Sequence, residues 1–256
     1  MEIDFGTYGP RALGRVAIIG AGDLGAYVAH AAANAGAAGL LLTGNSRMER
    51  VMTLASELDK RVPTIARQFS DLSSNTLLTA LLDDSEKALG GPIDTFFMLV
   101  AVQPNKPFLK ETPDDARRTM DINFIGPVFF ARNVLMRAKD ASRKISVILT
   151  SSDNTLPTEF DPNTPFYDAS KKAMEKCLES LNYWFAEHGS MVNAVLPGWI
   201  DLPSQKNVEG KDEIFASIRM GRVARGEEVA LAMLNLARET HVSGTLRVIG
   251  NGGGTK

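Results

Sequence analysis

The sequence is poor in the features that mark exported, membrane-bound or nucleic-acid-binding proteins. Among its 256 residues only Cys177 is a cysteine, so no internal disulfide can form, which fits a reducing compartment such as the cytosol. The 28 basic and 30 acidic residues give a formal charge of −2, without a long block of like charge. We therefore expect neither nucleic acid nor an acidic membrane surface as a partner.

Long hydrophobic segments are also lacking. The first residues have neither the basic nor the apolar region of a secretory signal, and no apolar run approaches the roughly 18 residues of a membrane-spanning helix. These absences predict a cytoplasmic protein. Residues 1–14 are interpreted as an N-terminal arm, and 15–256 as a single domain, because no glycine- or proline-rich linker divides them and the chain is long enough for one large core.

What the sequence does contain is a regular alternation of apolar runs and amphipathic stretches. The runs are apolar on both faces, as buried parallel strands must be, and the intervals between them are long enough for helical crossovers. The seven runs are residues 15–20, 39–44, 64–69, 93–100, 144–152, 191–197 and 244–250. This pattern predicts a doubly wound α/β fold, a Rossmann-type three-layer sandwich with a seven-stranded parallel sheet.

The first run leads through a glycine-rich turn into an alanine-rich helix. Gly20, Gly22 and Gly25 have the spacing G-x-G-x-x-G. The first glycine permits a tight turn, the second lets the backbone approach a pyrophosphate, and the third lets the helix pack on the strand. The turn therefore predicts a dinucleotide site; the alternative is a glycine-rich turn without a ligand. Asp23 is an unexpected acid in an anion site, and we expect it to cap the helix instead.

The second run is followed by residues suited to a phosphate on the adenosine ribose. Asn45, Ser46 and Arg47 stand where an enzyme that prefers NAD usually has an acid, and the first acid in this stretch is Glu49. A guanidinium forms strong charge-assisted hydrogen bonds with phosphate, so these residues favour NADP over NAD. The alternative is that Arg47 is an ordinary solvated charge.

A second group of polar residues collects near the ends of the later runs. Tyr167 and Lys171 are four residues apart and lie on one face of a predicted helix. Asn123 opens an earlier helix, and the pair Ser151–Ser152 ends the fifth run. Carboxyl ends of parallel strands meet at one edge of the sheet, where doubly wound proteins bind ligands. As alternatives, Asn123 caps its helix and the serines are structural.

This combination resembles the short-chain dehydrogenase/reductase family from Arg15 to Gly253. The matching positions are Asp71, Asn123, Ser151–Ser152, Tyr167, Lys171, Pro197–Gly198 and the stretches 220–230 and 243–253. The phosphate loop is two residues shorter than the family's, residues 98–101 are apolar where the family is polar, and the interval from Ser152 to Tyr167 is about two residues longer.

The resemblance implies a role for each matching side chain. Tyr167 would be the acid/base, and Lys171 would hold the nicotinamide ribose and lower the pKa of Tyr167. Asn123 would anchor a water relay, and Ser152 would hydrogen-bond the substrate carbonyl, with Ser151 as its rival. The implied cofactor contacts are Gly20, Gly22, Leu24, Gly25, Asn45, Ser46, Arg47, Asp71, Leu72, Ala101, Tyr167, Lys171, Pro197, Gly198 and Ile200.

These roles suit the reduction of a double bond. Hydride delivery to a carbonyl carbon places charge on its oxygen, which needs hydrogen-bond donors and then a proton. A free tyrosine has a pKa of about 10, and lowering it by about 3 units takes about 4 kcal/mol, which a nearby ammonium group together with an oxidised nicotinamide ring could supply. We expect an NADP(H)-dependent oxidoreductase, usually a reductase, acting on C=O or C=N in a moderately apolar small molecule. The alternatives are a non-redox isomerase or cyclase, or a catalytically silent NADP-binding regulator.

Further expectations concern the substrate pocket, metals and self-association. The resemblance implies a pocket closed by residues 201–220 and lined by Asn154, Leu156, Phe160, Phe166 and Trp199. We expect no metal, since His30, His188 and His241 lack ligand spacing. The helix after Tyr167 carries an apolar stripe that predicts a homodimer or homotetramer, or else a face buried within one subunit: Met174, Cys177, Leu178, Leu181, Trp184 and Phe185.

Overall fold

The computed structural model describes residues 10–104, 106–157, 161–205, 218 and 220–250. Its strands are β1 (Arg15–Ile19), β2 (Gly39–Gly44), β3 (Thr64–Gln68), β4 (Ile93–Met98), β5 (Ser146–Thr150), β6 (Met191–Pro197), β7 (Ile200–Asp201), β8 (Ala224–Arg225) and β9 (Leu246–Ile249). Seven of them form one sheet in the order β3-β2-β1-β4-β5-β6-β9, with every neighbouring pair parallel. The predicted seven-stranded Rossmann-type fold is confirmed.

Helices alternate with the strands along the chain. They are α1 (Asp23–Asn34), α2 (Met48–Leu58), α3 (Asn75–Ala88), α4 (Pro113–Met120), α5 (Gly126–Asp140), α6 (Pro165–Glu187) and α7 (Gly226–Ala237). A π-helical turn, Asp121–Ile125, joins α4 to α5. Local signals explain where two helices begin. Thr112 and Asp115 form a capping box at α4, and Pro165 stands in the first turn of α6, where its missing N–H costs nothing.

The sheet separates two hydrophobic cores. Helices α1, α2 and α7 cover one face, and α3, α5 and α6 cover the other. Successive residues of a strand point to opposite faces, so the fully buried Ile18 and Ile19 of β1 enter different cores. This two-sided burial explains why the strands have continuous apolar sequences.

The described part of the predicted N-terminal arm packs against the sheet. Leu13 is buried, and the Arg11 guanidinium donates hydrogen bonds to the backbone oxygens of Asp94 and Lys144. Residues 1–9 lie outside the described part of the chain. Within the described ranges, no helix is both long and apolar enough to cross a membrane.

The strand order creates a crevice beside β1. The chain moves outward from β1 to β2 and β3, and then returns to form β4 on the other side of β1. Connections on the two sides therefore diverge at the carboxyl ends of β1 and β4. In doubly wound sheets this switch point is where ligands bind.

Candidate active site

Two of the three glycines after β1, Gly20 and Gly25, stand where a side chain would not fit. Gly20 has a φ of +92°, a conformation that strains other residues, and a Cβ there would lie 2.8 Å from a Val100 methyl. A Cβ on Gly25 would lie 2.7 Å from the backbone oxygen of Gly20, so only glycine allows α1 to pack this closely. A Cβ on Gly22 would meet nothing within 4 Å. The space above the α1 N-terminus therefore suits a pyrophosphate.

A cleft of about 770 Å³ opens at this point and continues toward β2 and β3. Eight sequence-predicted cofactor residues line it: Gly20, Gly22, Asn45, Ser46, Arg47, Asp71, Leu72 and Ala101. The sequence analysis missed other wall residues, among them Arg50, Arg118, Asp121, Ile122, Ile125 and Ser204. Arg50 could have been found, because it lies one helical turn after Arg47 on α2.

The end of the cleft near β2 and β3 is exposed and rich in charged groups. Arg47, just before α2, is exposed, as is Arg118, a wall residue on α4; neither forms an ion pair with any residue that the structure describes. Asp71 accepts hydrogen bonds from the side chain and backbone N–H of Ser73, which hold the pKa of its carboxyl below the ordinary value. The cleft thus offers two unpaired guanidinium groups to an anionic ligand.

The expectation that Asp23 caps α1 is wrong. The N-cap residue is Gly22, which has no side-chain hydrogen bond, and the Asp23 carboxylate has partners on other elements. It accepts a hydrogen bond of 2.5 Å from Arg50 of α2 and one of 2.8 Å from the backbone N–H of Ser204. A charged donor and a free backbone donor outcompete the neighbouring helix N–H groups.

Asn123 connects the cleft to the first turn of α6. It is fully buried in the π-helical turn, and its amide exchanges two hydrogen bonds of 2.8 Å with the backbone of Val102. Its amide nitrogen also donates to Ser170, whose hydroxyl donates to the backbone oxygen of Tyr167. The alternative role as a helix cap is excluded, because no side-chain bond caps α5.

The two serines after β5 point to different partners. Ser151 donates a hydrogen bond of 2.6 Å to the buried carboxylate of Glu175, which also accepts one from Thr155. Ser152 instead lies beside Tyr167, and its side chain acts to lower the pKa of that phenol. Glu175 was missed from the sequence, although it lies one helical turn after Lys171 on α6. Its bonds to Ser151 and Thr155 fix the segment that contains Ser152.

Lys171 is almost completely buried next to Tyr167. Its Nζ lies 5.7 Å from the centre of the tyrosine ring and donates a hydrogen bond of 2.7 Å to the backbone oxygen of Thr150. Burial lowers the pKa of Lys171 to about 8, although the charge of Glu175 acts in the opposite direction.

The groups of this chain by themselves raise the pKa of Tyr167. Burial raises the pKa of Tyr167 to about 12, and the side chain of Ser152 only partly opposes this effect. The negative charges of Asp168 and Asp153 raise the pKa further. The chain's own groups therefore keep this phenol protonated at neutral pH.

Several predicted cofactor residues lie outside the walls of the cleft. Leu24 and Ile200 belong to the hydrophobic core on the α1 side, and Gly25 packs against Gly20. Of the remaining ones, Pro197 ends β6 and Gly198 follows it, whereas Tyr167 and Lys171 belong to the group around Ser152. Val102 links the two regions, since it lines the cleft and is held by Asn123.

The predicted substrate pocket is described only in part. Phe166 contacts Phe108 with ring centres 6.1 Å apart, and Asn154 donates a hydrogen bond to Asp168. Phe160 and residues 206–217 lie outside the described part of the chain. In the ranges that are described, no three or more His, Cys, Asp or Glu side chains are close enough together to hold a metal ion.

Comparisons with known proteins point to one group of enzymes. A family model described as enoyl-(acyl carrier protein) reductase matches residues 20–254. The chain is 30% identical to a galactitol 2-dehydrogenase from Rhizobium johnstonii over 87% of each sequence. It is 27% identical to an NADP-dependent (R)-specific alcohol dehydrogenase from Lentilactobacillus kefiri, over 66% of this chain and 68% of that protein.

A solved structure extends the similarity to the fold. It is a 3-oxoacyl-[acyl-carrier protein] reductase with bound NAD from Brucella melitensis, which has a TM-score of 0.81 at 23% identity. The alignment covers 98% of this chain and 96% of that one. The similarity in architecture therefore includes both the glycine loop and the strand ends that carry the polar groups.

Proposed function

The chain belongs to the short-chain dehydrogenase/reductase family of NAD(P)-dependent enzymes, and from this premise we propose that it reduces a C=O or C=N group with NADPH. The substrate is a moderately apolar small molecule. One observation carries the proposal: Tyr167 lies beside Ser152 and beside the buried ammonium group of Lys171, whose Nζ is 5.7 Å from the centre of the tyrosine ring. Two hydroxyl donors and a cation are what a developing negative charge on oxygen needs.

Each side chain has a distinct task in this reaction. The bound nicotinamide supplies the hydride. Ser152 and Tyr167 hydrogen-bond the oxygen or nitrogen of the substrate, and Tyr167 then gives its hydroxyl proton to that atom. Lys171 stabilises the phenolate that remains, because its charge lies next to the ring. Asn123 is a positioning residue, since its amide is bound to Val102 and Ser170.

Tyr167 carries the proton that a reductase needs. Burial raises the pKa of Tyr167 to about 12, and Asp168 and Asp153 act in the same direction, so the phenol is neutral at physiological pH. The same shift makes the phenol a weaker acid. The charge of Lys171, which lies beside the ring, is the group of this chain that would favour loss of the proton.

The preference for NADPH rests on the exposed end of the cleft. Arg47 has no ion-pair partner in the described ranges, and Asn45 and Ser46 stand beside it on the same wall. Glu49, the first acid after β2, is exposed and is not a wall residue. This arrangement suits the additional phosphate of NADPH better than a bare ribose hydroxyl.

Direct binding followed by turnover tests the proposal. NADPH and NADH are titrated calorimetrically into the purified protein, and oxidation is then followed at 340 nm with a panel of ketones, aldehydes and cyclic imines. We expect tighter binding of NADPH, with turnover that Tyr167→Phe abolishes and Tyr183→Phe, in an exposed tyrosine of the same helix, leaves intact. Binding without oxidation of either cofactor would contradict the reductase and favour a non-redox enzyme or a regulator.

We also propose that the protein is a cytoplasmic homodimer or homotetramer. Of the predicted apolar stripe of α6, Met174, Leu178, Leu181 and Phe185 are buried within the subunit, whereas Trp184 is exposed. The support comes from Trp184 and from other large exposed apolar side chains: Phe129 and Met136 on α5, Tyr183 on α6, and Leu246 and Val248 on the edge strand β9. Sedimentation at several concentrations tests this proposal, and a monomer mass throughout would contradict it.

A further inference from the structure

Asp23 places a carboxylate in the first turn of the helix that faces the phosphate groups of the dinucleotide. Its side chain is 6% exposed, whereas that of its partner Arg50 is 57% exposed. The carboxylate joins two elements that are far apart in the sequence, because it is bound by Arg50 of α2 and by the backbone N–H of Ser204 after β7. All three residues line the cleft.

Both partners of Asp23 are groups that bind phosphate. A guanidinium and a free backbone N–H are common donors to phosphate oxygens. Here each is occupied by an oxygen of the same carboxylate. Hydrogen bonds from Ser204 and Arg50 lower the pKa of Asp23 despite the opposing effect of burial, so the group is ionised at neutral pH. An ionised carboxylate in this place both occupies the donors and repels an anion.

We propose that Asp23 is an internal competitor for the phosphate groups of the dinucleotide. The proposal rests on the cofactor role stated above. The pyrophosphate withdraws Arg50, Ser204 or both from Asp23, and the free energy of breaking these contacts is subtracted from the free energy of binding. Because the pyrophosphate is common to NADPH and NADH, Asp23 weakens both cofactors equally. Arg47, at the adenosine end, distinguishes the two.

Substitution of Asp23 should lower the Kd of both cofactors, and a merely structural role of Asp23 would not produce a change in this direction. We expect Asp23→Asn and Asp23→Ser to lower the Kd of NADPH and of NADH about fivefold each, with their ratio unchanged. Glu49→Gln is the matched control, since it removes one exposed acid beside Arg50 without touching Arg50 or Ser204. We measure Kd by calorimetry and by quenching of tryptophan fluorescence, and circular dichroism verifies that each variant is folded.

Arg50 provides a second, independent readout. In the wild type Arg50→Gln removes a guanidinium that is already occupied, so we expect only a small increase in Kd. In the Asp23→Asn background the guanidinium is free for phosphate, so the same substitution raises the Kd more. A Kd that is unchanged or higher in both Asp23 variants, or an Arg50→Gln effect of equal size in both backgrounds, overturns the inference.

The failure of this inference is distinguishable from failure of the proposed function. If the wild type binds a cofactor and the Asp23 variants bind it no better, only the competitor role is wrong. If the wild type binds neither cofactor detectably and Asp23→Asn binds both, the competitor role is strongly supported. If neither protein binds NADPH or NADH, the proposed function and the inference fail together.

Discussion

At the catalytic end of the site Asn123, Lys171 and Ser152 are 0%, 1% and 7% exposed, whereas Arg47 at the proposed adenosine end is exposed to solvent. Asn123 and Lys171 are held by hydrogen bonds to backbone atoms of Val102 and Thr150. Arg47 stands just before α2, and its side chain has no such bond within the described ranges. Side-chain positions are therefore fixed at the catalytic end, where the reaction is proposed, and adjustable at the adenosine end, where NADPH is distinguished from NADH.

This difference has energetic consequences. Buried polar groups interact strongly, but each one costs free energy if its partner is lost. Exposed charges are screened by salt, so a single exposed contact contributes little to stability. Substitutions at the buried end should therefore change the stability of the fold, and turnover as well where the side chain faces the reacting atoms, whereas those at the exposed end should change only cofactor affinity.

Replacing Lys171 by methionine tests the buried end most severely. We expect Lys171→Met to lower kcat/KM by about 10³-fold or more, because the phenolate loses its stabilising cation. The same change should stabilise the fold at pH 7. Burial lowers the pKa of Lys171 from 10.5 to about 8, so keeping this side chain charged destabilises the folded wild type by roughly 3 kcal/mol. The methionine variant avoids this cost but loses the hydrogen bond to Thr150, which reduces the gain by about 1 kcal/mol.

The sign of the pH dependence checks that explanation. Between pH 8 and 10.5 the unfolded wild type binds more protons at this lysine than the folded protein, so wild-type stability rises with pH across this window. The stability advantage of Lys171→Met is complete below pH 8 and shrinks above it. Urea unfolding at pH 7, 8 and 9.5 measures this, with the exposed Lys176→Met as the control. A variant that is less stable than the wild type at pH 7 would contradict the account.

Substitutions of Ser151 and Ser152 distinguish the roles of two adjacent buried residues, and the expected loss of kcat/KM is slightly smaller than that of Lys171→Met. We expect Ser152→Ala to lower kcat/KM by about 10²- to 10³-fold, because a donor to the developing charge is lost. Ser151→Ala removes one donor from the buried Glu175, which keeps Thr155 and Lys172, and should cost about 1 kcal/mol of stability with little change in kcat/KM. Kinetics and thermal unfolding of the two variants are compared. A large loss of kcat/KM in Ser151→Ala and a small one in Ser152→Ala would assign the hydrogen bond to the substrate to Ser151.

The parts of the molecule that depend on local sequence were predictable. The apolar runs predicted the ends of all seven strands of the sheet to within about two residues, because strands that are buried on both faces have continuous hydrophobic sequences. The glycine spacing gave the turn after β1, since the steric demands at Gly20 and Gly25 arise from the turn and the helix that follows it. Tyr167 and Lys171 were paired correctly because four residues make about one helical turn.

The parts that depend on distant partners were not predictable from the sequence. Asp23 is bound by Ser204, which is 181 residues away, and Asn123 is bound by Ser170, which is 47 residues away. Glu175 and Ser151 meet only after α6 packs on β5. The pKa of Tyr167 depends on burial and on two acids, Asp153 and Asp168, that only folding places beside the phenol.

Arg47 tests the exposed end, where the smallest effect is expected. Arg47→Gln should raise the Kd of NADPH about tenfold and leave that of NADH within about twofold, because only NADPH carries a phosphate on the adenosine ribose. Arg61→Gln, which removes the same charge beyond the other end of α2, is the control. Equal weakening of both cofactors would contradict the assignment and place Arg47 against the pyrophosphate.

Salt and stability distinguish this contact from those at the buried end. Because Arg47 is exposed, its contribution is screened, so the difference in Kd between wild type and Arg47→Gln should shrink as NaCl is raised from 0.05 to about 0.5 M. Thermal stability without cofactor should be unchanged, since Arg47 has no ion pair to lose within the described ranges. A marked loss of stability would mean that the arginine supports the fold, and the division between a fixed and an adjustable end would no longer hold.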